Sequence, residues 1–391
     1  MMSAMAQQTK APIIIIGSGF AAYQLIKAIR RSDPLIPIQV FTADSGDDYN
    51  KPDLSHVVSK KQLASDLIRA TGAAMATEFD FELWANTRVD AIEPDRHRIL
   101  VADQAYPYSK LVLATGAKAF IPPMSGNAID RVVTLNSLQE YQAIEQELTS
   151  AKRILVIGGG LIGTEIAMDL ASAEKKVINV DPCDRLMANL LPEYVAMQLG
   201  RKMQSLGVEL ALNDSVVALN HTTDSACGRS SILAKLASNQ QVEVDMVISA
   251  AGLIPNIALA QRANIAVGRG IVVNSYLQTS ATDVFALGDC AEIDGKVLAY
   301  LQPALLSANA LAKTLLDQTT KLILPAMLVK VKTPHYPIQL GGNTVVGVQR
   351  WQMEIDAEGC SVNALNAEGT LQGFVVAEQH MSKAFSLLKS L

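Results

Sequence analysis

The sequence predicts an α/β chain built from two Rossmann-like dinucleotide-binding domains, with a small α+β domain at its C-terminal end. Three observations predict it. Short β-rich runs alternate with helical stretches, the order of βαβ units with parallel strands and right-handed crossovers. A glycine-rich strand-to-helix turn occurs twice, at Gly17 and again at Gly158. The residues after 322 change texture, with strand-like pieces and one terminal helix.

The elements follow in order. Ile13–Ile16 reads as a buried strand, and 21–31 as a helix that sets Leu25, Ile26 and Ile29 on one face. Residues 36–42 form the next strand. A more β-like stretch follows, with strands at 88–92, Arg98–Val101 and 111–114. Ile121, Pro122 and Pro123 mark a domain crossing, because proline cannot continue a central strand. Ser137 and Glu140 make a capping box that opens a helix. The βαβ pattern then repeats, as strand Arg153–Ile157, helix 161–173 and strand 177–180. A later helix starts near Pro192 and stops at Gly207. Residues 222–231 read as a hairpin loop. Strands at 326–332 and 373–377 and a helix from about Ser382 complete the C-terminal domain.

Composition narrows the function. At about 150 residues per domain, 391 residues make two to three domains. A chain that is 49% hydrophobic and 18% charged can offset its ordering entropy, which excludes disorder. A net charge of -5 and a pI near 5.6 argue against a basic nucleic-acid binder. The longest apolar runs, such as Ile13–Ile16 and 247–251, fall far short of the roughly 20 residues that span a bilayer, so no membrane span is expected. Lys10 stands directly before the isoleucine run, which soon meets Gly17; no signal peptide is expected, and the compartment is cytoplasmic. Cys183, Cys227, Cys290 and Cys360 show no zinc, iron–sulfur or CxxC spacing. They read as reduced packing thiols, with no metal site.

The two glycine motifs carry the chemistry. In Gly17-Ser18-Gly19-Phe20-Ala21-Ala22, Gly17 permits a tight turn and Gly19 lets the backbone approach a pyrophosphate. Ala22 keeps the helix close to the strand. The helix N-terminus then offers N–H groups and the positive end of its dipole. The bland alternative is a plain βα turn. Asp44, just past the second strand, is the candidate ribose acid; otherwise it is a solvated turn residue. Gly158, Gly160 and Gly163 complete the second motif, followed by Glu165. Asp181 ends the next strand. An acid there accepts from both ribose hydroxyls and repels a 2′-phosphate, favouring NAD over NADP. Arg185 pulls the other way and is weighed less.

The stretch from Thr279 to Asp289 (TSATDVFALGD) resembles the second FAD fingerprint of flavoproteins with two dinucleotide domains and a glutathione-reductase-like fold. The resemblance implies that Asp289 binds the ribityl chain beside Gly288. Leu111 to Gly116 (LVLATG) and Ala251 to Asn256 (AGLIPN) resemble the two crossings between the FAD and NAD domains, with Thr115, Gly116 and Gly252 at the cofactors. The implied domains are 11–118 with 250–322 for FAD, 119–249 for NAD, and 323–391 as the C-terminal domain.

No cysteine precedes Cys183, which excludes the dithiol and single-cysteine chemistry of disulfide and peroxide reductases. The corresponding stretch, Tyr49-Asn50-Lys51-Pro52-Asp53-Leu54-Ser55, resembles the rubredoxin and ferredoxin reductases. Residues 277–280, 301–303 and 328–334 are similar to members that serve flavorubredoxin in anaerobic nitric oxide reduction. The resemblance implies hydride transfer from NADH to the flavin, then single electrons to rubredoxin or flavorubredoxin, with ferredoxin as the alternative acceptor. A flavin-based NADH sensor is the non-enzymatic reading. Lys51 and Glu165 are the catalytic candidates. A cation near flavin N5 stabilises the charge that develops on reduction, and Glu165 is expected to meet Lys51 or the nicotinamide amide. The alternatives are a solvated lysine and a first-turn acid. Pro52 is placed at the flavin with Lys51. Gln302 and Pro303 open a helix that by family likeness points at flavin N1 and O2. Lys332 is a weaker candidate for flavin or partner contact. Rubredoxins are acidic, so docking calls for a local basic patch, for which Lys330 and Lys332 are candidates with Lys313 and Lys321 behind them. His97, His221, His335 and His380 are expected at the surface, Trp84 and Trp351 in packing, and the chain as a monomer.

Overall fold

The computed structural model describes residues 11–223 and 230–391. They fall into two compact units. The first holds the described residues up to Asn50 together with Asp66–Lys118 and Ile254–Leu324. The second holds Lys51–Ser65, Ala119–Leu253 and Pro325–Leu391.

The first unit is built on a parallel sheet, ordered Val284–Ala286, Lys110–Leu113, Ile13–Ile16, Ile38–Phe41, Glu82–Trp84. The four isoleucines take the central place. A strand covered on both faces has no use for alternating polar residues, hence the unbroken apolar run. The strand expected at 36–42 starts later because Pro37 has no N–H to give; its carbonyl accepts from the Ile13 N–H at 2.9 Å. Helix Phe20–Ser32 buries Ala22, Leu25, Ile26 and Ile29 on the core. Arg30 in its last turn donates to the carbonyls of Ile36, Phe79 and Asp80. Helix Leu301–Leu315 belongs to the same core, to which it contributes Ala308, Leu311, Ala312 and Leu315. The strand expected at 88–92 is displaced to Ala91–Glu93, the residues that find antiparallel partners in 98–100.

The second unit repeats the plan, in the order Val132–Val133, Met246–Ser249, Arg153–Ile157, Lys176–Asp181, Val208–Leu212, again all parallel. Helix Leu161–Ser172 follows its central strand. Helix Leu138–Ser150 starts as expected on Ser137, whose hydroxyl accepts the Glu140 N–H (3.1 Å). The Glu140 carboxylate reaches further back than a capping box requires, to the Asn136 N–H (2.7 Å) and the Thr134 hydroxyl (2.6 Å). Strands Val216–Thr223 and Ser230–Leu236 pair antiparallel. The loop expected between them, with Cys227, lies outside the described residues at 224–229.

The C-terminal part is α+β. Five antiparallel strands run in the order Leu328–Val331, Ile338–Gly342, Leu371–Glu378, Gly359–Leu365, Arg350–Asp356, with helix Ala384–Lys389 beside them. It clusters into the second unit, as does Lys51–Ser65, which the sequence alone groups with the FAD segments. No helix among the described residues is long and apolar enough to cross a membrane.

Candidate functional site

The two glycine turns have one geometry. Gly17 has φ 113° and Gly158 φ 112°; a Cβ there would stand 2.2 Å from the Ala114 carbonyl oxygen and 2.5 Å from that of Ala250. Both helices begin on an extended glycine, Gly19 (φ -76°, ψ -178°) and Gly160 (φ -74°, ψ -172°). A Cβ on either would meet no heavy atom of the described residues within 4 Å. The helix N-termini therefore face open space, as a pyrophosphate needs. The third motif position packs helix on strand: a Cβ on Gly163 would fall 1.9 Å from the Gly158 carbonyl oxygen, whereas Ala22 is buried with room for its methyl.

Each turn is tied to the acid at the next strand's end, Asp181 as the last residue of Lys176–Asp181 and Asp44 three residues past Ile38–Phe41. Asp44 Oδ1 accepts from the hydroxyls of Ser18 (2.9 Å) and Thr42 (2.8 Å) and from the Gly46 N–H (2.9 Å). Asp181 accepts from the N–H groups of Gly159 and Cys183 (2.8 Å). A carboxylate has about four acceptor sites, so both acids keep capacity for ribose hydroxyls. Arg185 turns its guanidinium to Asp184 (2.9 Å) and the Ala188 carbonyl (3.4 Å).

Elsewhere in the first unit, Asn256 pins the two crossing segments. Its N–H donates to Gly116 (2.9 Å), its side-chain amide to the Thr115 carbonyl (2.8 Å), and its carbonyl accepts the Thr115 hydroxyl (2.8 Å). Asp289 lies half-buried in the turn Gly288–Cys290, where a Cβ on Gly288 would stand 2.7 Å from that of Ala21. Gln302 is exposed and Pro303 buried in the first turn of helix Leu301–Leu315.

In the second unit, helix Leu161–Ser172 carries two buried carboxylates one turn apart. Glu165, 3% exposed, accepts from the Ser55 hydroxyl (2.8 Å) and the Lys332 backbone N–H (2.7 Å). His56 Nε2 lies 3.8 Å from it. Asp169, 6% exposed, accepts from the N–H groups of Val58 (2.9 Å) and Ser59 (3.3 Å) and from the Ser59 hydroxyl. Burial raises both carboxyls above their usual range, against the pull of these hydrogen bonds. His56 is pushed down to about 4, chiefly by burial and then by Lys332 and Lys60, so its approach to Glu165 is not an ion pair at neutral pH. Lys51 and Pro52 open the short 3-10 helix Lys51–His56 that delivers Ser55. The Lys332 ammonium lies 3.3 Å from the Pro52 carbonyl and 3.5 Å from the Asp53 carboxylate.

The candidates thus separate by unit. Gly17, Gly19, Ala22, Asp44, Thr115, Gly116, Gly288, Asp289, Gln302 and Pro303 fall in the first; Lys51, Pro52, Gly158, Gly160, Gly163, Glu165, Asp181, Gly252 and Lys332 fall in the second. Gly252, at φ 113°, sits at the second unit's end of the returning crossing. Asp169, the bond from Ser55 to Glu165 and the pinning role of Asn256 go beyond what the sequence shows, where Ser55 stands only as the last residue of the Tyr49 to Ser55 stretch. Asp169 has one sequence signal, its i+4 spacing from Glu165.

Two surface expectations are corrected. His380 is 5% exposed, its Nε2 3.0 Å from Asp356, because the 3-10 turn Gln379–Lys383 that carries it packs on strands Gly359–Leu365 and Leu371–Glu378. Among the described residues, Glu354, Asp356 and His380 form one cluster of metal-ligand type, but Glu354 also pairs with Lys383 (2.8 Å). Trp84 packs as expected, stacked on Phe41 at 5.4 Å. Trp351 does so only in part: it is 40% exposed on the edge strand Arg350–Asp356, and its Nε1 donates to the Thr344 carbonyl (3.1 Å).

Residues 11–312 match the model of the pyridine nucleotide-disulphide oxidoreductases, and the chain belongs to that family. Residues 321–391 match the rubredoxin binding C-terminal domain. More particularly, the chain is 51% identical over 380 residues to a Vibrio vulnificus protein named "Nitric oxide reductase FlRd-NAD(+) reductase", covering 97% of this chain and 98% of that one. A protein of the same name from Aliivibrio fischeri is 50% identical over the same shares. Among solved structures, the covalent putidaredoxin reductase–putidaredoxin complex superposes with a TM-score of 0.87 at 23% identity, over 97% of this chain and 94% of that one. The water-forming NADH oxidase of Lactobacillus brevis gives 0.86 at 19% identity, over 97% and 91%. These two likenesses establish the fold.

Proposed function

We propose that this chain is an FAD-dependent NADH:flavorubredoxin reductase, which passes electrons from NADH through FAD to the rubredoxin centre of its partner and so supports anaerobic nitric oxide reduction. The observation that carries it is a chain with two open dinucleotide turns that ends in a rubredoxin-binding domain. On this reading the enzyme works in the cytoplasm, where its thiols stay reduced.

The Gly17 turn and the helix after it hold the FAD pyrophosphate, with Asp44 at a ribose and Asp289 at the ribityl chain. Thr115, Gly116, Gln302 and Pro303 complete that site. The Gly158 turn holds NAD, with Gly252 at the crossing, and Asp181 excludes a 2′-phosphate. The chemistry that FAD supplies when bound is acceptance of a hydride and release of single electrons. Lys51 provides positive charge for the reduced state, and Glu165 orders the segment that carries it.

NADH oxidation with purified flavorubredoxin, free rubredoxin and ferredoxin, side by side, tests the reading. Flavorubredoxin should give the highest kcat/KM. Turnover with ferredoxin alone would overturn it. Lys51→Met should slow flavin reduction by NADH in stopped flow; an unchanged rate would remove Lys51 from the mechanism.

A further inference from the structure

We propose that Asp169 is a positioning residue for the reductase reaction: from the dinucleotide-motif helix it grips Val58 and Ser59 and so holds the segment that begins with Lys51 and Pro52. The proposal rests on the reading above for what Lys51 does at the flavin. The grip itself stands on geometry alone.

A carboxylate in the middle of a buried helix face is expensive unless its oxygens are bonded. Asp169 lies in the third turn of helix Leu161–Ser172, beyond the glycine turn and with no capping role. Its partners all come from two consecutive residues of one neighbouring segment: two backbone N–H groups and one hydroxyl. That is the donor set of a clamp on a particular stretch of chain. Glu165, one turn earlier on the same face, takes the Ser55 hydroxyl. The two acids thus hold the segment on either side of Val57, which is itself buried.

The segment needs outside support. Residues 57–61 form turns, closed by the bonds from the N–H groups of Lys61 to the Val58 carbonyl (3.1 Å) and of Gln62 to that of Val57 (3.0 Å), and 62–63 are irregular. Its far end is fixed on helix Leu138–Ser150, where the Tyr141 hydroxyl donates to Gln62 (2.6 Å) and Glu145 accepts from the Ala64 N–H (3.0 Å). Its near end, with Lys51 and Pro52, is held through Ser55, through the long contacts of Lys332, and through Asp169. This accounts for Lys51–Ser65 clustering with the second unit although its sequence neighbours lie in the first.

The test uses the FAD-loaded full chain with Asp169→Ala, Asp169→Asn and the milder Ser59→Ala. Amide hydrogen exchange at 57–60 should rise in both Asp169 variants. At saturating NADH, Asp169→Ala should slow flavin reduction about tenfold, the scale of a small misplacement, while KM for NADH stays within about twofold. Ser59→Ala should fall between it and the parent and guards against an Asp169 variant that fails to fold. In a Lys51→Met background, Asp169→Ala should slow the reaction no further. Unchanged exchange at 57–60, or the same slowing factor in both backgrounds, overturns the proposal. If Lys51→Met alone leaves the rate unchanged, the flavin role of Lys51 falls. The exchange and the rate loss of Asp169→Ala then still decide whether the clamp exists and serves the reaction.

Discussion

At the second dinucleotide turn, one methyl group separates folding from binding. Gly163→Ala would drive its Cβ to 1.9 Å from the Gly158 carbonyl oxygen, backbone that cannot yield as a flexible side chain would, with the Ala250 methyl at 3.4 Å. Overpacking of this kind costs about 1–3 kcal/mol or more, and a lowered urea midpoint should report it. Gly160→Ala meets no atom of the described residues within 4 Å. It should fold like the parent and lose NADH affinity, because its methyl occupies the approach of the pyrophosphate. Normal NADH titration of Gly160→Ala would refute the cradle. His56 supplies a pH signature at the same scale. Its folded value near 4 lies below its ordinary 6.5, so between these values the unfolded chain binds more protons than the folded one. Stability therefore falls as pH drops through that window, by about 2 kcal/mol between pH 7 and 5. The raised carboxyls of Glu165 and Asp169 act in the opposite sense above the ordinary carboxylate range. The comparison with His56→Gln isolates the histidine: the variant should gain stability relative to the parent as pH falls, and parallel curves would dismiss the effect.

Elements were legible where one physical rule acts locally. Both βαβ units and the Ser137 cap follow from apolar runs and short polar caps, whereas the late start of the strand at Ile38, set by the missing N–H of Pro37, is missed by the apolar pattern. The affiliation of Lys51–Ser65 was not legible, since its anchors are hydroxyls and backbone N–H groups, which leave no periodicity. The same holds for Lys332. The sequence offers its charge as the functional feature, but the structure gives its backbone N–H to a buried carboxylate and its ammonium only contacts of 3.3 and 3.5 Å. A prediction follows from which atom joins the C-terminal sheet to the helix. Glu165→Ala strands the Lys332 N–H, leaves the Ser55 hydroxyl only the Pro52 carbonyl (3.1 Å), and should cost about 1–3 kcal/mol. Lys332→Met keeps the N–H and gives up an exposed ion pair, worth under about 1 kcal/mol. Equal losses in urea unfolding would mean that the side chain, not the backbone, makes the joint.

For the whole molecule, charge sets the remaining problem. A net charge of -5 repels an acidic electron carrier at long range, so docking has to rest on a local basic surface. Composition excluded nucleic acid as a partner but could not locate that surface, because four scattered lysines carry no pattern. The structure sorts them. Lys313 and Lys321 lie in the first unit, Lys330 and Lys332 in the second; Lys321, Lys330 and Lys332 fall within residues 321–391, which match the rubredoxin-binding domain, Lys321 at its first position. Lys332 already faces Asp53, whereas Lys330 is exposed on the edge strand Leu328–Val331. Lys330 is therefore the charge with most to offer an incoming acidic surface. Lys330→Glu should raise KM for rubredoxin severalfold at low salt and flatten the dependence of rate on ionic strength, since screening acts over about 10 Å at 0.1 M. Flavin reduction by NADH, which needs no partner, should stay unchanged in the same variant. Carrier reduction that ignores both salt and Lys330→Glu would show that docking relies on apolar contact, and the exposed Trp351, Met353 and Ile355 of the opposite edge strand would then be the surface to alter next.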